Sequence, residues 1–107
     1  MPGEIIVLVT CQPDDANKLA TDLVTERLAA CVNVVPSVLS IYQWKEKIEK
    51  DTESILIIKS HRDLFSRLEA RIKELHTYDV PEIVSLPIEA GHAPYLNWLN
   101  AQLQGVS

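Results

Sequence analysis

The distribution of apolar and polar positions divides the chain into alternating short and longer segments. Residues 4–10 carry the β-branched run Ile5-Ile6-Val7-Leu8-Val9 and predict a first strand. After Cys11-Gln12-Pro13, apolar positions Ala16, Leu19, Ala20, Leu23, Val24 and Leu28 recur at helical spacing, with Asp14 and Asp15 in the first turn where the helix dipole favours acids. A long second strand starts at Cys31 and runs to Trp44, interrupted by Pro36, which has no N–H for a ladder and therefore marks a bulge or an edge. The charged segment 45–51 predicts a solvated hairpin connection with strand-like flanks, leading into a third strand at residues 52–59. Ser60-His61-Arg62-Asp63 has the form of a capping box, ahead of a helix burying Leu64, Phe65, Leu68, Ile72 and Leu75. A fourth strand spans residues 82–88. Gly91-His92-Ala93-Pro94 then opens a last helix with Tyr95, Leu96, Leu99 and Leu103 on its apolar face.

The order β-α-β-β-α-β plus one extra helix predicts an α+β, ferredoxin-like antiparallel sheet with helices on one face. Such a sheet normally alternates apolar and polar side chains along each strand. Strands one and three do not alternate, so both of their faces favour leaving water. The second strand is also long for a small domain, and its edge groups need partners. A closed homo-oligomer resolves both problems. The alternative is a monomer whose C-terminal helix folds back over the second face.

At 107 residues the chain fits one domain, and 47% apolar with 23% charged residues is a globular composition. A net charge of −5 without a basic stripe disfavours a nucleic-acid partner. The apolar runs, about five residues at most, fall far short of the ~20 a membrane helix needs. The N-terminal Met1-Pro2-Gly3-Glu4 carries no secretion signal, which places the expected compartment in the cytoplasm. Cys11 and Cys31 fit neither a CxxC nor a zinc-finger spacing. In a reducing compartment they are expected as free thiols, Cys31 within the core and Cys11 exposed at a strand end.

Three chemistries fail early. No GxSxG or cysteine-protease signature is present, and three scattered glycines cannot cradle a phosphate. The loop after strand one offers Asp14 and Asp15 but no arginine for an anion. The densest functional signal is Leu75-His76-Thr77-Tyr78-Asp79-Val80-Pro81-Glu82-Ile83, where Pro81 ends any helix and frees the polar groups from one helix face. His76, Asp79 and Glu82, with Cys11, supply the mixed donors that copper or zinc accepts. His76 could equally just close its helix, where a cation suits the dipole. Tyr42, Trp44, Tyr78, Tyr95 and Trp98 are either pocket walls or core and interface anchors.

Several of these segments resemble a known family. Ala29-Ala30-Cys31-Val32-Asn33, Ser40-Ile41-Tyr42-Gln43-Trp44, Lys47-Ile48-Glu49, Glu53, Ile58-Lys59, His76-x-Tyr78-x-x-Pro81-Glu82-Ile83 and Tyr95-Leu96-x-Trp98 are similar, in that order, to the CutA divalent-cation tolerance proteins. The resemblance spans about residues 5–103. It implies a homotrimer with long strands paired between protomers, an architecture like that of the PII signalling proteins, and a role in tolerance of copper and other divalent cations. It attaches no catalytic reaction, and for animal relatives it implies anchoring of a membrane enzyme. Departures are Thr77 and Asp79 in place of the usual proline and glutamate, and Glu46 at a frequent hairpin glycine. Leu75 replaces the first of two histidines used for copper in some bacterial members, and their cysteine position falls on Thr10, one residue before Cys11. The resulting expectation is a non-enzymatic trimer capturing a divalent cation weakly near subunit clefts, through His76, Asp79, Glu82 and Cys11. The alternative is a PII-like regulatory or scaffold trimer whose cleft near Trp44, Lys59 and Tyr78 binds a small molecule or protein.

Overall fold

The computed structural model describes residues 3–106. Its elements are β1 (Glu4–Cys11), α1 (Pro13–Thr25), β2 (Cys31–Trp44), β3 (Lys47–His61), a 3-10 turn (Arg62–Leu64), α2 (Phe65–Leu75), β4 (Ile83–Pro87) and α3 (Ala93–Gln102). The sheet order is β2-β3-β1-β4 and each neighbouring pair is antiparallel, which is the α+β, ferredoxin-like arrangement.

Burial alternates along β1 and β3 although hydrophobicity does not. Ile5, Val7, Val9 and Cys11 on β1, with Leu56 and Ile58 on β3, form one face of the sheet. Leu19, Leu23, Leu68 and Ile72 of α1 and α2 cover that face. Each of these side chains is at most 6% exposed, and fully burying a Leu or Ile stabilises by about 1.5–3 kcal/mol. The opposite face carries Ile6, Leu8, Ile55 and Ile57, all partly exposed, with Val84 and Leu86 of β4 beside them at 47% and 50% exposure. The C-terminal helix does not close this face. Leu99 and Leu103 of α3 instead form a separate small cluster with Ala30 and Leu64.

The termini of α1 and α3 are locked together. α1 ends at Thr25, short of Leu28, because Arg27 turns into the left-handed region at φ 60°. Its guanidinium then donates to the last carbonyls of α3, Gln102 O at 2.9 Å and Ala101 O at 3.0 Å. Cations at a helix C-terminus are favourable, which offsets the strain of a non-glycine αL residue. One residue before this lock, Asn100 of α3 donates to the buried Glu4 carboxylate at 2.8 Å.

Two local expectations change. Ser60 is not an N-cap: it belongs to β3, is buried, and donates to Leu28 O at 2.7 Å. The cap is His61, whose Nδ1 accepts from the Asp63 N–H at 3.1 Å. The charged segment after Trp44 is mostly ladder: Lys47–Asp51 pair with β2 and only Lys45 and Glu46 turn. Cross-strand pairing with a long partner outweighs a polar composition. Pro36 sits where the register slips between Val35 and Val38, on an edge strand, so both readings of that proline hold.

Because β2 and β3 run 14 and 15 residues, their ribbon extends past the helices, and the chain measures 45 × 25 × 22 Å. Leu39, Ile41, Trp44 and Ile48 on the ribbon are 58–65% exposed. The two turn residues, Lys45 and Glu46, have φ 50° and 67°, the left-handed pair of a tight primed turn that normally selects Asn-Gly. A non-glycine residue there costs about 1–2 kcal/mol, and glycine returns part of that in unfolded-state entropy. Glu46→Gly is therefore expected to stabilise the protein by about 0.5–1 kcal/mol. Chemical denaturation of the two proteins side by side checks it, and a destabilised variant would contradict the turn geometry.

Candidate functional site

Where the ribbon leaves the helix layer, a cleft of about 660 Å3 opens between β2–β3, the end of β1 and the α2–β4 connection. Tyr42 and Trp44 line it from β2, Asp51 and Glu53 from β3, and Tyr78, Asp79 and Glu82 from the connection. No lysine, arginine or histidine lines it.

Register explains the convergence. Glu53 pairs with Val38 and shares the parity of Ile55 and Ile57, so it lies on the open face of the sheet, yet it is only 8% exposed. A buried carboxylate needs donors, and Tyr78 supplies one: its hydroxyl donates to Glu53 Oε2 at 2.7 Å and accepts from Gln12 Nε2 at 3.1 Å. Burial, then the bond to Glu53, raises the Tyr78 phenol well above its ordinary value. Tyr42 donates to Asp51, and that bond pushes its phenol up to about 12.

His76 caps the C-terminus of α2, its own N–H bonding Ile72 O at 2.8 Å. Both of its ring nitrogens are engaged. Nδ1 accepts from the Tyr78 N–H at 3.0 Å, which leaves Nε2 to donate to Thr10 O at 2.7 Å. The ring also lies against Tyr78, with centroids 4.6 Å apart. This is one imidazole stapling β1 to the connection that carries Tyr78, Asp79 and Glu82. A metal at His76 has to displace one of these two bonds.

Cys11 differs from its expectation. β1 continues one residue further than the expected strand, pairs Cys11 with Ser54, and turns the thiol into the core, where it is 1% exposed. Burial, with Asp15 and Glu53 nearby, pushes the thiol up to about 11, so it keeps its proton at neutral pH. Asp79 and Glu82 are exposed. Among the described residues no three His, Cys, Asp or Glu side chains are grouped as a preformed metal site.

The remaining residues expected at the cleft or an interface lie away from the cleft. Lys59 donates to Asn33 Oδ1 on the open face, and Tyr95 and Trp98 stack on α3 with centroids 5.7 Å apart. None of the three lines the cleft. Cys31, expected in the core, is partly exposed opposite Lys59, and both cysteines are free. Sequence reasoning missed Asp51, Glu53 and Gln12 as site residues. The available signal was the place of Glu53 on one face of β3, where the charged positions Glu49 and Asp51 give way to Ile55 and Ile57.

An antiparallel α+β sheet covered on one face, with an acidic and aromatic cleft at its projecting ribbon, defines a small ferredoxin-like domain, and comparison with known proteins names its kind. The sequence matches the family described as CutA1 divalent ion tolerance protein over residues 5–102, and the chain belongs to that family. It is 47% identical over 97 residues to the divalent-cation tolerance protein CutA of Thermus thermophilus, covering 90% of this chain and 94% of that one. It is 40% identical to mouse protein CutA over the full chain, which spans 62% of the mouse protein's length, and it spans 54% of a rice chloroplastic relative. Solved structures of CutA1 from Thermus thermophilus and rice superimpose with TM-scores of 0.91 and 0.94, at 46% and 40% identity. The first covers 94% of this chain and 98% of its own, the second 97% and 96%. A relative from Archaeoglobus fulgidus is described as a periplasmic divalent cation tolerance protein. No helix among the described residues is long and apolar enough to cross a membrane.

The buried thiol gives the site a pH signature. The folded state holds the Cys11 proton up to about pH 11, whereas an ordinary thiol releases it near 9.0. Between those values the unfolded chain binds fewer protons, so stability falls as pH rises. Unfolding free energy is expected to decline from pH 9 to pH 11. In Cys11→Ala the decline should shrink to what the tyrosines contribute; an unchanged slope in that variant would show the thiol to be titrating normally.

Proposed function

We propose that the protein acts as a homotrimer that takes up divalent cations loosely at its acidic clefts, as a component of cation tolerance, and performs no reaction of its own. The observation that carries the cation reading is the cleft wall: Asp51, Glu53, Asp79 and Glu82 converge with no basic side chain among them. Exposed carboxylates beside a buried one attract a dication and hold it weakly, on the order of 10⁻⁴–10⁻³ M, when no rigid ligand cage exists. Asp79 and Glu82 are the first donors. His76 serves mainly to position them and enters the ligand set only by releasing Tyr78 or Thr10. Cys11 keeps its proton and stays out. This donor set favours oxygen-seeking dications and copper(II) over copper(I), which prefers thiolate.

Assembly is supported by the open face and the ribbon. Ile6, Leu8, Val84 and Leu86 form apolar surface that helices of the same chain leave uncovered. β2 is an edge strand with unpaired backbone groups, the natural place for another copy's strand. A small closed ring lets identical ribbons cover identical faces. The free thiols fit a reducing compartment such as the cytoplasm.

The cleft volume favours a second reading. About 660 Å3 is the size of a small-molecule pocket and far exceeds what one ion fills, which suits a PII-like regulatory trimer.

Sedimentation equilibrium at micromolar concentration is expected to give three times the 12.0 kDa chain mass, and a monomer would remove the assembly. Calorimetric titration of the assembled protein with manganese(II) and copper(II) should show saturable weak binding. The double substitution Asp79→Asn, Glu82→Gln is expected to weaken it at least fivefold. Equal stoichiometry and affinity in both proteins would reject these donors.

A further inference from the structure

The interior of the cleft holds features that a bare ion does not use. Glu53, 8% exposed, gives Oε2 to Tyr78, and among the described residues no side chain or backbone group donates to its other oxygen. A nearly buried carboxylate with an unused acceptor, facing a cavity, is a recognition group for a donor from outside. Tyr42 and Trp44 remain 41% and 58% exposed along the same wall, an unusual amount of free aromatic surface beside so much negative charge. Ile41 and Val80 add apolar lining. Among the described residues no three of these carboxylates are grouped as a metal site, so a loosely held dication engages one or two of them and leaves the rest of the wall unused.

Dispersed carboxylates, aromatic faces and short apolar stretches together describe one kind of ligand: a flexible chain of methylenes carrying several ammonium groups. We propose that the cleft binds an organic polycation of the aliphatic polyamine class. This deepens the small-molecule reading above and rests on it. One ammonium donates to the free oxygen of Glu53, a second lies over the Trp44 ring as a cation–π contact, and the methylenes run along Ile41 and Val80. Asp79 and Glu82 at the mouth neutralise the remaining charge.

The test is calorimetric titration of the assembled protein with spermidine at low salt, with Trp44 fluorescence followed in a Trp98→Phe background. The expected result is saturable binding of one spermidine per chain with a change in Trp44 emission. No response is expected to 1,8-octanediol, a neutral chain of similar length. Magnesium at matched ionic strength should displace spermidine incompletely. Glu53→Gln is expected to weaken spermidine binding at least tenfold, and Trp44→Leu at least threefold. If Glu53→Gln fails to fold, the exposed Asp79→Asn replaces it, with a threefold loss expected. Non-saturating heat that magnesium reproduces, or unchanged binding in every variant that folds, overturns the proposal. Native mass spectrometry of protein taken directly from cells separates the two levels. A different retained metabolite with no spermidine binding removes the polyamine and leaves the small-molecule reading standing. No retained ligand and no spermidine binding remove both.

Discussion

A four-stranded sheet with apolar side chains on both faces, and helices sufficient for only one, constrains everything else in this protein. α1 and α2 bury Val7, Val9, Leu56 and Ile58 completely and leave Ile6, Leu8, Ile55 and Ile57 partly in water. Every apolar Å2 left wet forgoes roughly 25 cal/mol, so the open face is a standing bias toward association. α3 does not relieve that bias. Its Leu99 and Leu103 go to Ala30 and Leu64, and its C-terminus is fixed there by the Arg27 guanidinium.

The same constraint decides what the polar residues do. At the strand ends, where helix cover stops, Glu53 enters the sheet's open face and is held by Tyr78, itself positioned by the His76 ring, which accepts from the Tyr78 N–H and lies against its phenol. His76 thereby exchanges its capacity as a free ligand for a structural role, tying β1 to the loop before β4. The chemistry shifts from nitrogen and sulfur to carboxylate oxygen and aromatic faces. That shift follows from hydrogen-bond accounting: an imidazole with both nitrogens engaged has no lone pair to offer until one bond breaks.

The architecture was legible because periodicity and punctuation agreed. The β-branched runs marked β1 and β3, helical spacing marked α1 and α2, and Pro81 marked the end of the α2 connection. The long β2 was legible too, including the disturbance at Pro36. What failed were inferences that depend on where a strand ends or on a partner distant in sequence. Cys11 lies on the buried face because β1 continues to it, two residues past the apolar run, where it shares the side of Val7 and Val9. Ser60 gave up its expected cap because Leu28 O, 32 residues away, required a donor. Of the expected site residues, Tyr42, Trp44, Tyr78, Asp79 and Glu82 do meet in the cleft, whereas Lys59, Tyr95 and Trp98 are occupied elsewhere. Glu53 entered only as a marker of the resemblance and not as a site residue, because an acid among the charged residues of β3 carries no local signal of burial; its pairing with Val38 and its bond to Tyr78 reveal it.

Site and adhesive surface share one origin. A β2–β3 ribbon trimmed to the length of β1 would end near the helix layer, with neither a projecting apolar arm nor the wall bearing Tyr42, Trp44 and Asp51. Lengthening two paired strands creates both at once, because each added residue is supported by its ladder partner and not by a core. The register from Ser40 with Asp51 to Trp44 with Lys47 is unbroken although little packs against it. Such a ribbon holds its shape through cross-strand bonds while its faces stay free.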